Sequence, residues 1–220
     1  MTEDRKSGLA LIAGSIGLII TMALHPTGHD LLVPGQLEHV ARLGVAVHTL
    51  ALFCIPVLFI GALGLSRRLD SPDKLSLCAV VAYGFACVAA MNAAAISGLV
   101  APGIARHMAA ATPASDAGNT WSVLFTYSGS LNQAFAMVFV VASSAALTLW
   151  SASILRNGVF SRGLGVYGCV LGPLTVVAVL SGHLRLNVHG FGLVVLGQAI
   201  WFVVVGVLLC RPGTRPSAGS

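Results

Sequence analysis

The chain has 220 residues, of which 56% are hydrophobic and only 9% charged, and its mean hydropathy is +0.90. A soluble domain needs about 25% charged residues to cover its surface, so a water-facing globule is excluded and the length predicts one all-α, polytopic integral membrane helical bundle of six transmembrane helices. The formal net charge of +5 is gathered in a few turns, a distribution that suits orientation in a lipid bilayer and speaks against nucleic-acid binding.

The first apolar run covers 8–24, between Lys6 and His25. Arg5-Lys6 ahead of it and Thr21-Met22-Ala23 at its end imitate a cleavable signal, but the run is long for one and is read as a retained span. The second covers 43–65 between Arg42 and Arg67, with Pro56 as a possible kink. The third covers 75–101 and is expected to stop at Pro102-Gly103.

A long outward connection is expected from Met108 to Ser128. Its first half reads as a flexible loop of small and turn residues, and its second half as an aromatic anchor carrying Trp121, Phe125 and Tyr127. The fourth span is then 131–154, the fifth 163–181 with Pro173 inside it, and the sixth 188–210.

Charge predicts the direction. Arg5, Lys6, Arg67, Arg68, Lys74, Arg156, Arg162, Arg211 and Arg215 fall at the two ends and in the second and fourth connections, against Arg42, Arg106 and Arg185 in the other three. Basic residues are retained on the cytoplasmic side. Both termini are therefore expected in the cytoplasm of a cell (inner or plasma) membrane, with the odd-numbered connections outside.

The five cysteines lie in or at the ends of apolar runs and form no CxxC, so they read as packing residues and not as disulfides or metal clips. Small residues spaced for close helix approach recur at Ala10, Gly14 and Gly17, at Gly61 and Gly64, and at Gly168 and Gly172. They predict a tight bundle, and offer faces for a membrane-protein partner or a second copy.

All seven histidines fall on the outward side of this topology. Neutral imidazole is the commonest metal-binding side chain, so His25, His29, Asp30, His48, His183 and His189 are the candidate ligands. His25-Pro-Thr-Gly-His29-Asp30 reads as a turn able to converge two rings and a carboxylate. His48 lies about 8 Å inside the second span, where an ionisable group should face the bundle. The stretch from His183 to His189 alternates polar and apolar residues, which would aim His183, Arg185, Asn187 and His189 over the bundle mouth. Such a set suits zinc, copper or iron. A haem held by His48 with His183 or His189 is the weaker form of the same expectation.

Asn92, Asn132, Gln133, Arg185 and Gln198 are candidate cavity-lining residues, and a small-solute transporter or channel is the first alternative. An accessory or scaffold subunit is the second. There is no HExxH or Walker sequence and no Ser or Cys arranged with a His and an acid, so no reaction is indicated.

Overall fold

In a computed structural model of the chain, the described residues are 1–26, 28–33, 35–69, 74–112 and 115–211, with the backbone alone for 28 and 29. They are helical almost throughout and contain no strand. Helix α1 is Glu3–Ala23, α2 Leu37–Arg68, α3 Leu75–Ala95, α4 Ala101–Ala110, α5 Asp116–Asn157, α6 Arg162–Leu180 and α7 Val188–Cys210. α3 passes into α4 through a π-helical turn, Ile96–Val100, so the two make one continuous span. The described residues therefore include six helices long and apolar enough to cross a membrane.

The span starts and stops follow local chemistry. Thr2 and Asn187 cap α1 and α7 through their side-chain oxygens, and α5 closes on Gly158 at φ 64°, a left-handed residue that only glycine takes without cost. Pro56 and Pro173 lie inside unbroken helices.

Two expectations about boundaries give way. The third span does not stop at Pro102. Pro102 has no N–H for the carbonyl four residues back, that of Gly98, and its ring would press on it. The helix widens to π geometry at that place and continues to Ala110. The expected loop after Met108 is also mostly helix. Ser115 caps the Gly118 N–H at 3.1 Å, and α5 then runs 42 residues without a break. At about 1.5 Å per residue it is roughly 60 Å long, twice the hydrocarbon thickness of about 30 Å, so it is far longer than one span requires.

The first turns of α5 belong to a cap. Phe125 packs on a small core of Leu31, Val40, Ala41 and Ala105, and His107 stacks on Trp121 with ring centroids 4.5 Å apart and planes 13° from parallel. Glu38 of α2 takes both arms of Arg106 of α4. The sequence pairs Glu38 with Arg42 at i,i+4, yet the Arg42 Nε donates to the Glu38 backbone carbonyl instead.

Within the bilayer the helices form a closed circuit in which α1 packs on α2 and α7, α3 on α2 and α5, and α6 on α5 and α7. The small residues serve these internal contacts. Gly14 and Gly61 leave no room for a Cβ between α1 and α2, Gly8 and Gly206 none between α1 and α7, and Gly168 and Gly172 none between α5 and α6. The centre holds Tyr83, Trp150, Trp201 and Phe202 in mutual ring contact. Trp150 Nε1 donates to Ser66 Oγ at 2.7 Å, and Ser66 and Ser76 exchange hydroxyl-to-carbonyl bonds. These bonds satisfy polar groups that lipid would leave bare. Cys210 Sγ meets the Arg5 carbonyl and Arg68 lies 3.9 Å from Asp4, which gathers the start of α1 and the ends of α2 and α7 at one end. The histidine pair described next lies at the other.

Candidate functional site

His25 lies two residues beyond α1, where the helix has ended and Pro26 prevents its resumption. His48 lies on the buried face of α2 with Gly44 and Ala51, and is 4% exposed. Their Nε2 atoms are 2.9 Å apart, and the rings meet edge-on at a centroid distance of 4.6 Å. Each ring is held from its other nitrogen: His25 Nδ1 lies 2.7 Å from the Pro26 carbonyl oxygen, and His48 Nδ1 2.6 Å from that of Gly44.

A carbonyl oxygen only accepts, so both Nδ1 atoms carry the hydrogen. In two neutral imidazoles both Nε2 atoms then present lone pairs, aimed at each other at hydrogen-bond distance. That arrangement repels unless one ring is protonated and donates its Nε2–H to the other, or a metal ion is shared between them. A ring nitrogen bonded to backbone while its partner nitrogen points at a common centre is also how metal-ligating histidines are oriented. Burial pushes the His25 imidazole below its ordinary value, an effect that its bond to Pro26 only partly offsets.

Gly98 in the π turn completes the setting. A Cβ at this position would come within 2.6 Å of His48 Cγ, so only glycine lets the third span close over the ring. The carbonyls of Pro26 and Gly44 and the bare face of Gly98 escape a reading of side-chain types. The one signal in the sequence is that Gly98 lies four residues before Pro102.

The pair borders a cavity of about 150 Å³ between α1, α2, α3, α5 and the start of α7. Ala51, Ile55, Tyr83, Ala93, Ala94 and Phe139 make most of its wall apolar, while Asn132, Gln133 and Asn187 add polar groups. A smaller void of about 20 Å³ shares Leu18, Leu58, Tyr83, Phe139 and Val195 with it and also touches Ser15 and Gln198.

Of the six expected ligands, the structure brings together His25 and His48. The His29 side chain lies outside the described residues. Asp30 is half-buried in a short 3-10 helix, Gly28–Leu32. His183 and His189 are exposed, and His183 Nδ1 pairs with Ser181 Oγ at 2.8 Å. The alternating stretch is a turn here, not an extended strand, with Gly182 at φ 77°. Its Leu186 and Asn187 line the cavity, while Arg185 is exposed. Among the described residues no group of three His, Cys, Asp or Glu converges.

Of the expected cavity residues, Asn132 and Gln133 line the main cavity. Gln198 is buried, and its Nε2 donates to Ser143 and Ser144. Asn92 is exposed and folds back to the Val88 carbonyl. The class defined by this geometry is a six-span helical bundle with a paired-imidazole cavity near one end. Comparison with family models, with curated proteins and with solved structures finds no match.

Proposed function

We propose that this is a cell-membrane protein that binds a transition-metal ion between His25 and His48, with the ion's remaining positions open toward the cavity. The observation that carries this reading is the 2.9 Å separation of the two Nε2 atoms with both Nδ1 atoms committed to carbonyls. Two nitrogens on one tetrahedral ion at bonds of about 2.0–2.1 Å stand about 3.3 Å apart, so taking up the ion requires the rings to part by a few tenths of an ångström and to turn both lone pairs toward it. Zinc, copper and iron all accept imidazole. Haem fits less well, because its axial imidazoles stand on opposite faces of the macrocycle and this pair leaves no gap for one. With two protein ligands, the site is of the open kind that exchanges water or a bound molecule.

The retained excess of arginine and lysine at the end opposite the pair supports a cytoplasmic location for both termini, with the histidine end outward. Transport of a small solute through the same cavity is the second reading, favoured by Asn132 and Gln133 at its wall. A scaffold role has less support, since the closest small-residue contacts are already used between helices of this chain.

Elemental analysis of detergent-purified protein, followed by titration of the stripped protein with zinc and copper, tests the assignment. One equivalent of metal is expected in the wild type, with none retained by His25→Ala or His48→Ala and full retention in His183→Ala. Equal metal content in wild type and His48→Ala would overturn it. Reporter fusions after Arg211 and within 111–115 test the orientation, and labelling of both on one side of the membrane would refute it.

A further inference from the structure

We infer that the cavity beneath the histidine pair is a binding site for a small, single-ring organic molecule bearing one hydroxyl group, of the phenol class. The inference goes beyond the metal assignment and does not need the ion to be present.

Size comes first. A cavity of about 150 Å³ is the volume that, when lined by apolar side chains, stays dry and accepts a benzene ring. Most of the wall here is apolar, with Ala51, Ala93, Ala94 and Ile55 on the spans and the Tyr83 and Phe139 rings beside them, while the mouth is open and bordered by His48, Asn132 and Gln133. Flat rings against flat rings gain contact energy that water does not match. The second observation is polar and independent. Ser15 Oγ is fully buried and has no hydrogen-bond partner, although a serine in a helix usually finds one in the preceding turn. It borders instead the separate 20 Å³ void, and Leu18, Leu58, Tyr83, Phe139 and Val195 lie along both that void and the cavity. A buried hydroxyl without a partner costs free energy, and here the missing partner has room. A ring in the main cavity with its oxygen directed into the void would supply it, while the ring's other edge lies toward His25 and His48.

Isothermal titration of phenol and of benzene into metal-stripped, detergent-purified protein tests the inference. Saturable one-to-one phenol binding is expected, with benzene binding more weakly. Ser15→Ala should reduce phenol affinity roughly tenfold, the effect of one lost buried hydrogen bond, and leave benzene affinity unchanged. Ala93→Leu and Ala136→Leu, which fill the cavity from two different helices, should abolish binding of both while melting temperature and gel-filtration profile stay close to wild type. Absence of saturable phenol binding would overturn the inference. So would phenol affinity unaffected by Ser15→Ala, since the Ser15 partner is then a lone water, or binding that survives both filling substitutions, since it then lies in the micelle. Phenol binding to stripped protein that takes up no metal would leave this inference standing and remove the metal assignment. Metal uptake without phenol binding would do the reverse.

Discussion

Glu38 and Arg106 are 68 residues apart in the chain, yet they form a two-armed ion pair, Nε to Oε1 at 2.9 Å and Nη2 to Oε2 at 3.1 Å. The fork-on-fork geometry fixes the start of α2 against α4, and so fixes the cap in one register above His48. Both side chains are exposed, so water and salt screen the attraction and its share of global stability is small. Its expected effect is local. In Arg106→Gln, amide hydrogen exchange across 101–110 should quicken while the centre of α5 keeps wild-type protection. Charge reversal at both positions should restore the slow exchange, and a uniform loss of protection along the chain would contradict this.

Gly98 should be the most sensitive position for the site that bears no functional group. Gly98→Ala pushes a methyl into His48 and should weaken metal binding by about 10–100-fold, the range for disturbed ligand orientation. Gly103, five residues on, has open space around its Cβ position. Gly103→Ala should leave metal affinity alone and stabilise the protein by about 0.4–1 kcal/mol through the unfolded chain. Metal titration and thermal melting of the two variants side by side make the comparison, and equal metal affinities would sink it.

The contact between α1 and α7 is a backbone-to-backbone approach. A Cβ on Gly206 would come within 2.7 Å of the Gly8 carbonyl oxygen. Gly206→Leu should therefore overpack the bundle and cost about 1–3 kcal/mol. Gly129→Leu, at a position with nothing within 4 Å, should be close to neutral. Unfolding in mixed micelles, followed by tryptophan emission, ranks the two, and no difference between them would reject the close packing of α1 on α7.

Trp150 is fully buried, and its indole N–H is spent on Ser66. Trp150→Phe removes that donor and part of the ring stack with Tyr83 and Trp201, at an expected cost of about 1–3 kcal/mol. Ser66→Ala leaves the indole N–H without a partner and should destabilise by a comparable amount. The double variant should lose less than the two single losses added together. Simple additivity would mean that the bond contributes nothing.

The spans were legible because hydropathy needs no partner: a run that is apolar all round declares its solvent by itself. The ends were not legible. Whether Ala109 or Asn119 is helix or loop depends on Ser115 capping a turn and on Trp121 and Phe125 finding His107 and Ala105, which are tertiary facts. The pairing of His25 with His48 was half visible, since both share a side in the charge-based topology. What set them apart from His183 and His189 is backbone: a carbonyl exposed by Pro26 and another supplied by Gly44. Alternation from 183 to 189 misled because Gly182 and a short turn, not a strand, join α6 to α7. Gln198 borders the smaller void and also spends its amide on two serines, a balance that composition does not reveal.

The widened turn at Ile96–Val100 also supplies a fingerprint. A proline follows the bulge, four residues after a glycine, the glycine admits a histidine from the neighbouring helix, and that histidine leans on a glycine four residues before it. Pro26, Gly44, His48, Gly98 and Pro102 are thus one spatial unit written in three separated pieces of chain. A distant relative that has exchanged every apolar side chain for another would still need these positions, in this order, to build the same pocket. They are the letters by which such a relative could be recognised when overall resemblance has faded.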